Sequence, residues 1–198
     1  MSDAKPLRIF LTGVGGQGTL TATTLLAETA LSAGLHVTAG EIHGMAQRGG
    51  VVETTVLINC KSPKLGHGEA DILLGFEPLE TVRALPYLKP KGVVFSSTEF
   101  LPPLSVSMGK EECPPLEWIE KEVRGCTARA HFMPSQTIGL EAGAIQSGNV
   151  AILAALCASG EVPFGVDALE ATMKAKLPAK ILVTNLKALE LGVTSLDA

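Results

Sequence analysis

Leu7-Arg8-Ile9-Phe10-Leu11-Thr12-Gly13-Val14-Gly15-Gly16-Gln17-Gly18 decides how the chain is read, because a compact apolar run ends at Gly13 and passes into a glycine-rich turn. The turn satisfies G-x-G-x-x-G, and the residues after it have helical spacing. Leu20, Thr24, Ala27 and Leu31 recur on one side, Leu25 and Leu26 widen the apolar face, and Gly34 supplies a stop. Strand, loop and helix are predicted in succession. Glycine removes the Cβ barrier to unusual dihedrals, so a phosphate can approach the backbone. The first turn of the helix offers unpaired N–H groups at its positive end. Gly13, Gly15, Gly16, Gln17, Gly18 and Thr19 are therefore candidate binding residues for an anionic group. The alternative is a tight strand-to-helix turn used for packing. Three charge-assisted backbone bonds at about 2 kcal/mol each total roughly 6 kcal/mol, much of which ordering offsets, so such a loop needs other contacts to bind tightly.

Working outward, a second strand begins near His36, and a polar stretch runs over residues 40–50. Residues 51–58 have the Val, Thr and Ile content of a strand. Further strands are predicted at 72–76 and 93–95, separated by a helix and turn over 79–88 that contains Pro86. A short helix is expected at 118–124, a strand at 128–133 and a loop at Ser135. Residues 149–159 are apolar on nearly every side of a helix, and so are buried in the core or against another subunit. Asp167 and Glu170 have capping-box spacing, Pro178 suits the first turn of a last helix, and Leu182, Leu186 and Leu189 share its face with Gly192 placed to end it. Residues 96–115 lack a period, and no role is assigned over 96–127. This alternation predicts an α/β fold, a Rossmann-like doubly wound three-layer sandwich with a mostly parallel sheet, over a single domain spanning 1–198. Ligands of such sheets bind beyond the carboxyl ends of the strands, where both glycine-bearing loops fall.

Composition narrows the function. Hydrophobic residues make up 46% and charged residues 18% of 198, a balance that folds rather than stays disordered. The low aromatic share, 4%, leaves aliphatic runs suited to strands covered on both faces. A net charge of -4 without a Lys/Arg cluster argues against nucleic acid. Residues 150–158, the longest strongly apolar stretch, fall far short of the roughly 20 needed to span a bilayer. No secretory pattern precedes the first strand, so a cytoplasmic location is expected. Cys60, Cys113, Cys126 and Cys157 form no C-x-x-C pair, which argues against a metal or iron–sulfur centre.

The second loop, Glu41-Ile42-His43-Gly44-Met45-Ala46-Gln47-Arg48-Gly49-Gly50, concentrates an acid, an imidazole, an amide and a guanidinium between glycines. A guanidinium clamps carboxylate or phosphate, and His exchanges a proton near neutral pH. Glu41, His43, Gln47, Arg48, Gly49 and Gly50 are candidate substrate or subunit contacts; a structural Glu41–Arg48 pair is the alternative. No nucleophile stands beside His43, and no catalytic residue is assigned. Glu41 also lies about where an NAD-binding fold keeps its ribose acid.

GVGGQGTLTATTLLAETALSAGLHVTAGEIHGMAQRGGVVETTVLI, taken whole, resembles the gamma-type domain of 2-oxoacid:ferredoxin oxidoreductases, and EIHGMAQRGG resembles the beta subunits acting on indolepyruvate. Weaker similarity continues in GEADILLGFEPLETVRALPYLKPKGVV, GNVAILAAL and LPAKILVTNLKALELG. The resemblance implies CoA-dependent oxidative decarboxylation of an arylpyruvate to an acyl-CoA, with reduction of ferredoxin. The chain carries no G-D-G…N motif and no cluster-type cysteine spacing. The resemblance accordingly implies thiamine diphosphate, its divalent metal and iron–sulfur clusters in a large alpha subunit, with coenzyme A as co-substrate. It assigns the glycine turn to a phosphate or pyrophosphate, and the second loop to coenzyme A, substrate or the large subunit. An independent NAD-type oxidoreductase and a purely structural subunit are the competing readings.

Overall fold

The computed structural model describes residues 5–43, 50–62, 64–101, 106, 112–127 and 129–196. Six strands, β1 (Leu7–Val14), β2 (Val37–His43), β3 (Val51–Ile58), β4 (Ala70–Gly75), β5 (Leu88–Ser97) and β6 (Ala130–Met133), form one sheet in the order β2-β3-β1-β4-β5-β6. β1, β4, β5 and β6 pair in parallel, whereas β3 is antiparallel to both neighbours, β1 and β2. The sheet is thus mostly parallel with one reversed strand inside it. Only residues 44–50 lie between β2 and β3, too few for the crossover that a parallel pair needs, so the return is antiparallel.

The helices are α1 (Thr19–Ser32), α2 (Pro78–Ala84), α3 (Leu116–Cys126), α4 (Ser135–Ala142), α5 (Gly148–Ala158), α6 (Val166–Lys176) and α7 (Ala179–Thr194). Strand alternation sends Ile9, Leu11, Val56 and Ile58 into a core shared with α1, α5 and α6. Phe10 and Leu73 face a smaller core with Ile119 and Val123 of α3. Helices therefore cover both faces, giving the three layers expected. β1 leads through α1 to one side of the sheet and β4 through α2 to the other, so the order reverses between β1 and β4.

Several local expectations are corrected. Leu20 and Leu31 are 38% and 50% exposed and Thr24 is exposed too, whereas Leu25, Leu26 and Ala27 are buried as expected, together with Ala22, Thr23, Thr29 and Ala30. Small residues let the helix lie close to β3, and the threonines satisfy their own hydroxyls: Thr29 donates to the Leu25 carbonyl, and Thr23 lies 2.6 Å from Thr54. α4 starts at Ser135, where a loop was expected. Asp167 and Glu170 make no capping box; Gly165 is the N-cap, and Glu170 pairs with Lys174 one turn on. Pro178 caps α7 from outside, and Gly192 lies within that helix instead of ending it, at a position where a Cβ would meet the Ala151 carbonyl at 2.3 Å. Helix 149–159 is resolved in favour of the core: every residue from Gly148 to Cys157 is buried. Among the described residues no helix is long and apolar enough to cross a membrane.

Candidate functional site

The glycine turn stands where the sheet order reverses. Gly16 (φ 96°) and Gly18 (φ 89°) hold the left-handed dihedrals that carry the chain from β1 into α1, and Gly18 is the N-cap. Gly13 is required for space, since a Cβ there would lie 2.6 Å from Thr19 Oγ1. Gln17 Oε1 accepts the Val14 N–H at 2.7 Å and its Nε2 donates to the Phe76 carbonyl at 3.3 Å, tying the turn to the ends of β1 and β4. Asn149, the second residue of α5, donates from Nδ2 to the Gln17 carbonyl at 2.7 Å.

The sequence candidates separate into groups. Gly15, Gly16 and Gln17 border an open cleft of about 400 Å³ with Phe76, Gln136, Gln146 and Asn149, inside the size range of small-molecule sites. Gly16 and Gly18 also border a more apolar cleft of about 450 Å³ with Leu25, Val150, Leu177, Lys180 and Ile181. Gly16, Gln146 and Asn149 belong to both. Leu20 and Thr21 are exposed, and among the described residues no acceptor is found for their N–H groups. No acid stands in the first turn of α1. Thr19 differs from the glycines: it is 2% exposed, and its hydroxyl is buried without a hydrogen-bond partner among the described residues.

Of the second loop, Gly50 accepts the Gly15 N–H through its carbonyl at 2.7 Å, so the two predicted loops meet at one edge. The backbone of His43 pairs with Val52, itself level with Gly13. Gln47, Arg48 and Gly49 lie outside the described residues. Glu41 is exposed and level with Leu11 through Thr54, two strands away from β1. That placement works against the NAD reading. The ribose acid of a dinucleotide fold ends the strand next to β1, whereas here β3 intervenes and adds about 4.8 Å of sheet width.

On the α2 face, Glu77 is 1% exposed; it caps α2 by accepting the Glu80 N–H at 2.9 Å. Burial pushes its carboxyl above the usual range, opposed by that hydrogen bond and reinforced by Glu80. Burial also raises Glu80, with Arg83 at 2.7 Å pulling it back, and raises Glu53. These acids line neither cleft. Burial pushes the Cys157 thiol up to about 12, and all four cysteines are free thiols. Among the described residues no group of three or more His, Cys, Asp or Glu side chains is arranged to hold a metal.

Sequence reading missed Asn149, Gln146, Gln136 and Phe76. Only Asn149 left a signal, as a lone amide opening an otherwise apolar helix.

Residues 8–195 match the pyruvate ferredoxin/flavodoxin oxidoreductase family. The chain belongs to this family. Family membership makes it a subunit of a 2-oxoacid:ferredoxin oxidoreductase. It is 37% identical over 187 residues to the indolepyruvate oxidoreductase subunit IorB of Archaeoglobus fulgidus, an alignment covering 94% of this chain and 93% of that one. The fold is similar to that of a pyruvate oxidoreductase subunit from Thermotoga maritima, with a TM-score of 0.69 at 22% identity, covering 96% of this chain and 97% of that one. It is also similar to part of the 2-oxoglutarate:ferredoxin oxidoreductase of Magnetococcus marinus, with a TM-score of 0.73 at 18% identity, covering 98% of this chain and 32% of that one.

Proposed function

We propose that the chain is the small subunit of an indolepyruvate-type ferredoxin oxidoreductase, working as one domain in the cytoplasm beside a larger alpha subunit. The complex oxidatively decarboxylates an arylpyruvate with coenzyme A, giving acyl-CoA and carbon dioxide while oxidised ferredoxin takes up the electrons. The Gly15–Gly50 hydrogen bond carries this reading, because it joins the glycine turn to the second loop, EIHGMAQRGG, at the carboxyl edge of the sheet. The large subunit holds thiamine diphosphate, its metal and the iron–sulfur clusters, which supply the electron sink and the electron path. This chain contributes the coenzyme A side.

The turn suits an anionic group of coenzyme A in three respects. Gly16 is exposed at the mouth of two clefts, the Leu20 and Thr21 amides face no acceptor among the described residues, and the first turn of α1 has no acid to repel a phosphate. Gly13, Gln17 and Thr19 shape the turn from within; Gly15, Gly16 and Gly18 form its surface. Glu41, His43, Gln47, Arg48, Gly49 and Gly50 contact substrate, coenzyme or the large subunit.

Co-expression with the large subunit tests the proposal. A complex that reduces ferredoxin only when both arylpyruvate and coenzyme A are supplied is expected. Failure to associate defeats the subunit reading, and saturable NADH binding by the chain favours an independent dehydrogenase. A Gly16→Val complex that assembles and turns over with an unchanged KM for coenzyme A reduces the turn to packing.

A further inference from the structure

We infer that Asn149 is a positioning residue for the glycine turn, acting through the Gln17 carbonyl; the inference rests on the coenzyme A reading of that turn. The turn has little to hold its outer half in place. Gly16 and Gly18 both have positive φ, and a Cβ at Gly16 would meet nothing within 4 Å. On the inner side, Gln17 N–H returns to the Val14 carbonyl at 3.1 Å and the Gln17 side chain is spent on Val14 and Phe76. The Gln17 carbonyl is the remaining handle, and Asn149 Nδ2 donates to it at 2.7 Å across 132 residues of sequence.

Asn149 is itself held rigidly. It is 9% exposed and opens α5, whose following residues through Cys157 are all buried. Gly148 before it lies so close to α4 that a Cβ would fall 2.0 Å from the Ser135 carbonyl, and a Cβ at Gly139 would fall 2.7 Å from the Gly148 nitrogen. Two glycines thus press the start of α5 against α4 and fix where the amide points. Asn149 also lies 3.4 Å from the position of a Gly18 Cβ and borders both clefts, so it stands beneath any ligand that crosses the turn. The amide aligns the first-turn N–H groups of α1 before the ligand arrives.

The test is steady-state kinetics of the assembled heteromer carrying Asn149→Leu, similar in shape without a donor, or Asn149→Ser, which is smaller and cannot overpack. The KM for coenzyme A is expected to rise about tenfold, with kcat and the KM for arylpyruvate within about twofold, the pattern of lost coenzyme binding. Asn149→Gln, which keeps the donor on a longer arm, is expected to recover part of the loss. Gly16→Val separates the two layers. If it raises the coenzyme A KM and neither Asn149 variant does, the positioning role is overturned; if Gly16→Val has no effect, the reading of the turn fails first. Equal loss of kcat and of both KM values in every Asn149 variant also overturns the inference, because it reports general damage.

Discussion

Gln17 Oε1 accepts the backbone N–H of Val14 at 2.7 Å, so the one amide side chain in the glycine turn is folded into the protein. Val14 is 7% exposed, and its N–H has no ready access to water once that acceptor is removed. Leaving a buried donor unpaired costs about 1–3 kcal/mol. Gln17→Leu is therefore expected to lower stability by that amount in denaturant titration, and to raise the coenzyme A KM of the heteromer because the ends of β1 and β4 lose their bridge. A variant as stable as wild type would show that the Val14 amide finds another acceptor.

A second buried polar pair gives a sharper test of the packing between α1 and the sheet. Thr23 and Thr54 hydroxyls lie 2.6 Å apart, and the Thr23 proton is committed to the Thr19 carbonyl at 2.9 Å. Thr54 must then be the donor to Thr23. Thr23→Val strands the Thr54 hydroxyl and is expected to cost about 1–3 kcal/mol. Thr23→Val with Thr54→Val removes both partners, so the double variant is expected to be less destabilised than the sum of the singles. A strictly additive cycle would contradict the pairing.

Much of this architecture is legible in the residues. The aliphatic runs 7–12, 51–58 and 72–76 became β1, β3 and β4, and Gly34 ends α1 with its N–H on the Leu31 carbonyl at 2.9 Å. The direction of β3 was not legible, because alternation of side chains is the same in parallel and antiparallel strands. Nor was the place of β3 between β2 and β1, which separates Glu41 from the turn and weakens the NAD reading. The face of α1 is legible at Leu25, Leu26 and Ala27 but not at its edges, where Leu20, Thr24 and Leu31 are exposed and the small Ala22, Thr23 and Ala30 pack instead. Gln17 and Thr19 match a ligand motif in sequence, but spacing says nothing of which way a polar group faces: Gln17 bonds Val14 and Phe76 at the border of the cleft, and the Thr19 hydroxyl is buried. Asn149 reaches the site across 132 residues, a distance no local pattern encodes.

Glycines inside helices separate packing from propensity. A Cβ at Gly192 in α7 would meet Ala151 O, Cα and C of α5 at 2.3, 2.5 and 2.7 Å, all backbone atoms that cannot swing aside. Gly125 in α3 is exposed, and a Cβ there meets nothing within 4 Å. Gly192→Ala is expected to destabilise by about 1–3 kcal/mol through overpacking. Gly125→Ala is expected to stabilise by about 0.5–1 kcal/mol through helix propensity. Thermal melts of the two variants should move in opposite directions, and a shared sign would mean that α5 and α7 have room to separate.

Glu77 sets a pH dependence whose sign follows from its burial. Its carboxyl is raised above 4.5, first by desolvation, with the Glu80 N–H opposing and the Glu80 charge adding. The folded state therefore holds the proton more tightly than the unfolded chain. The associated stabilisation is fully present below the unfolded value and is lost as pH rises through the folded one. Glu77→Gln keeps a carbonyl to accept the Glu80 N–H, the bond that caps α2, but never ionises. The Tm of Glu77→Gln minus that of wild type is expected to grow more positive as pH rises from about 4 to about 8, since only wild type must carry a buried charge at the upper end. A difference that is flat with pH would mean that Glu77 reaches solvent when ionised; a difference that falls would mean a cationic partner holds the carboxylate and reverses the shift.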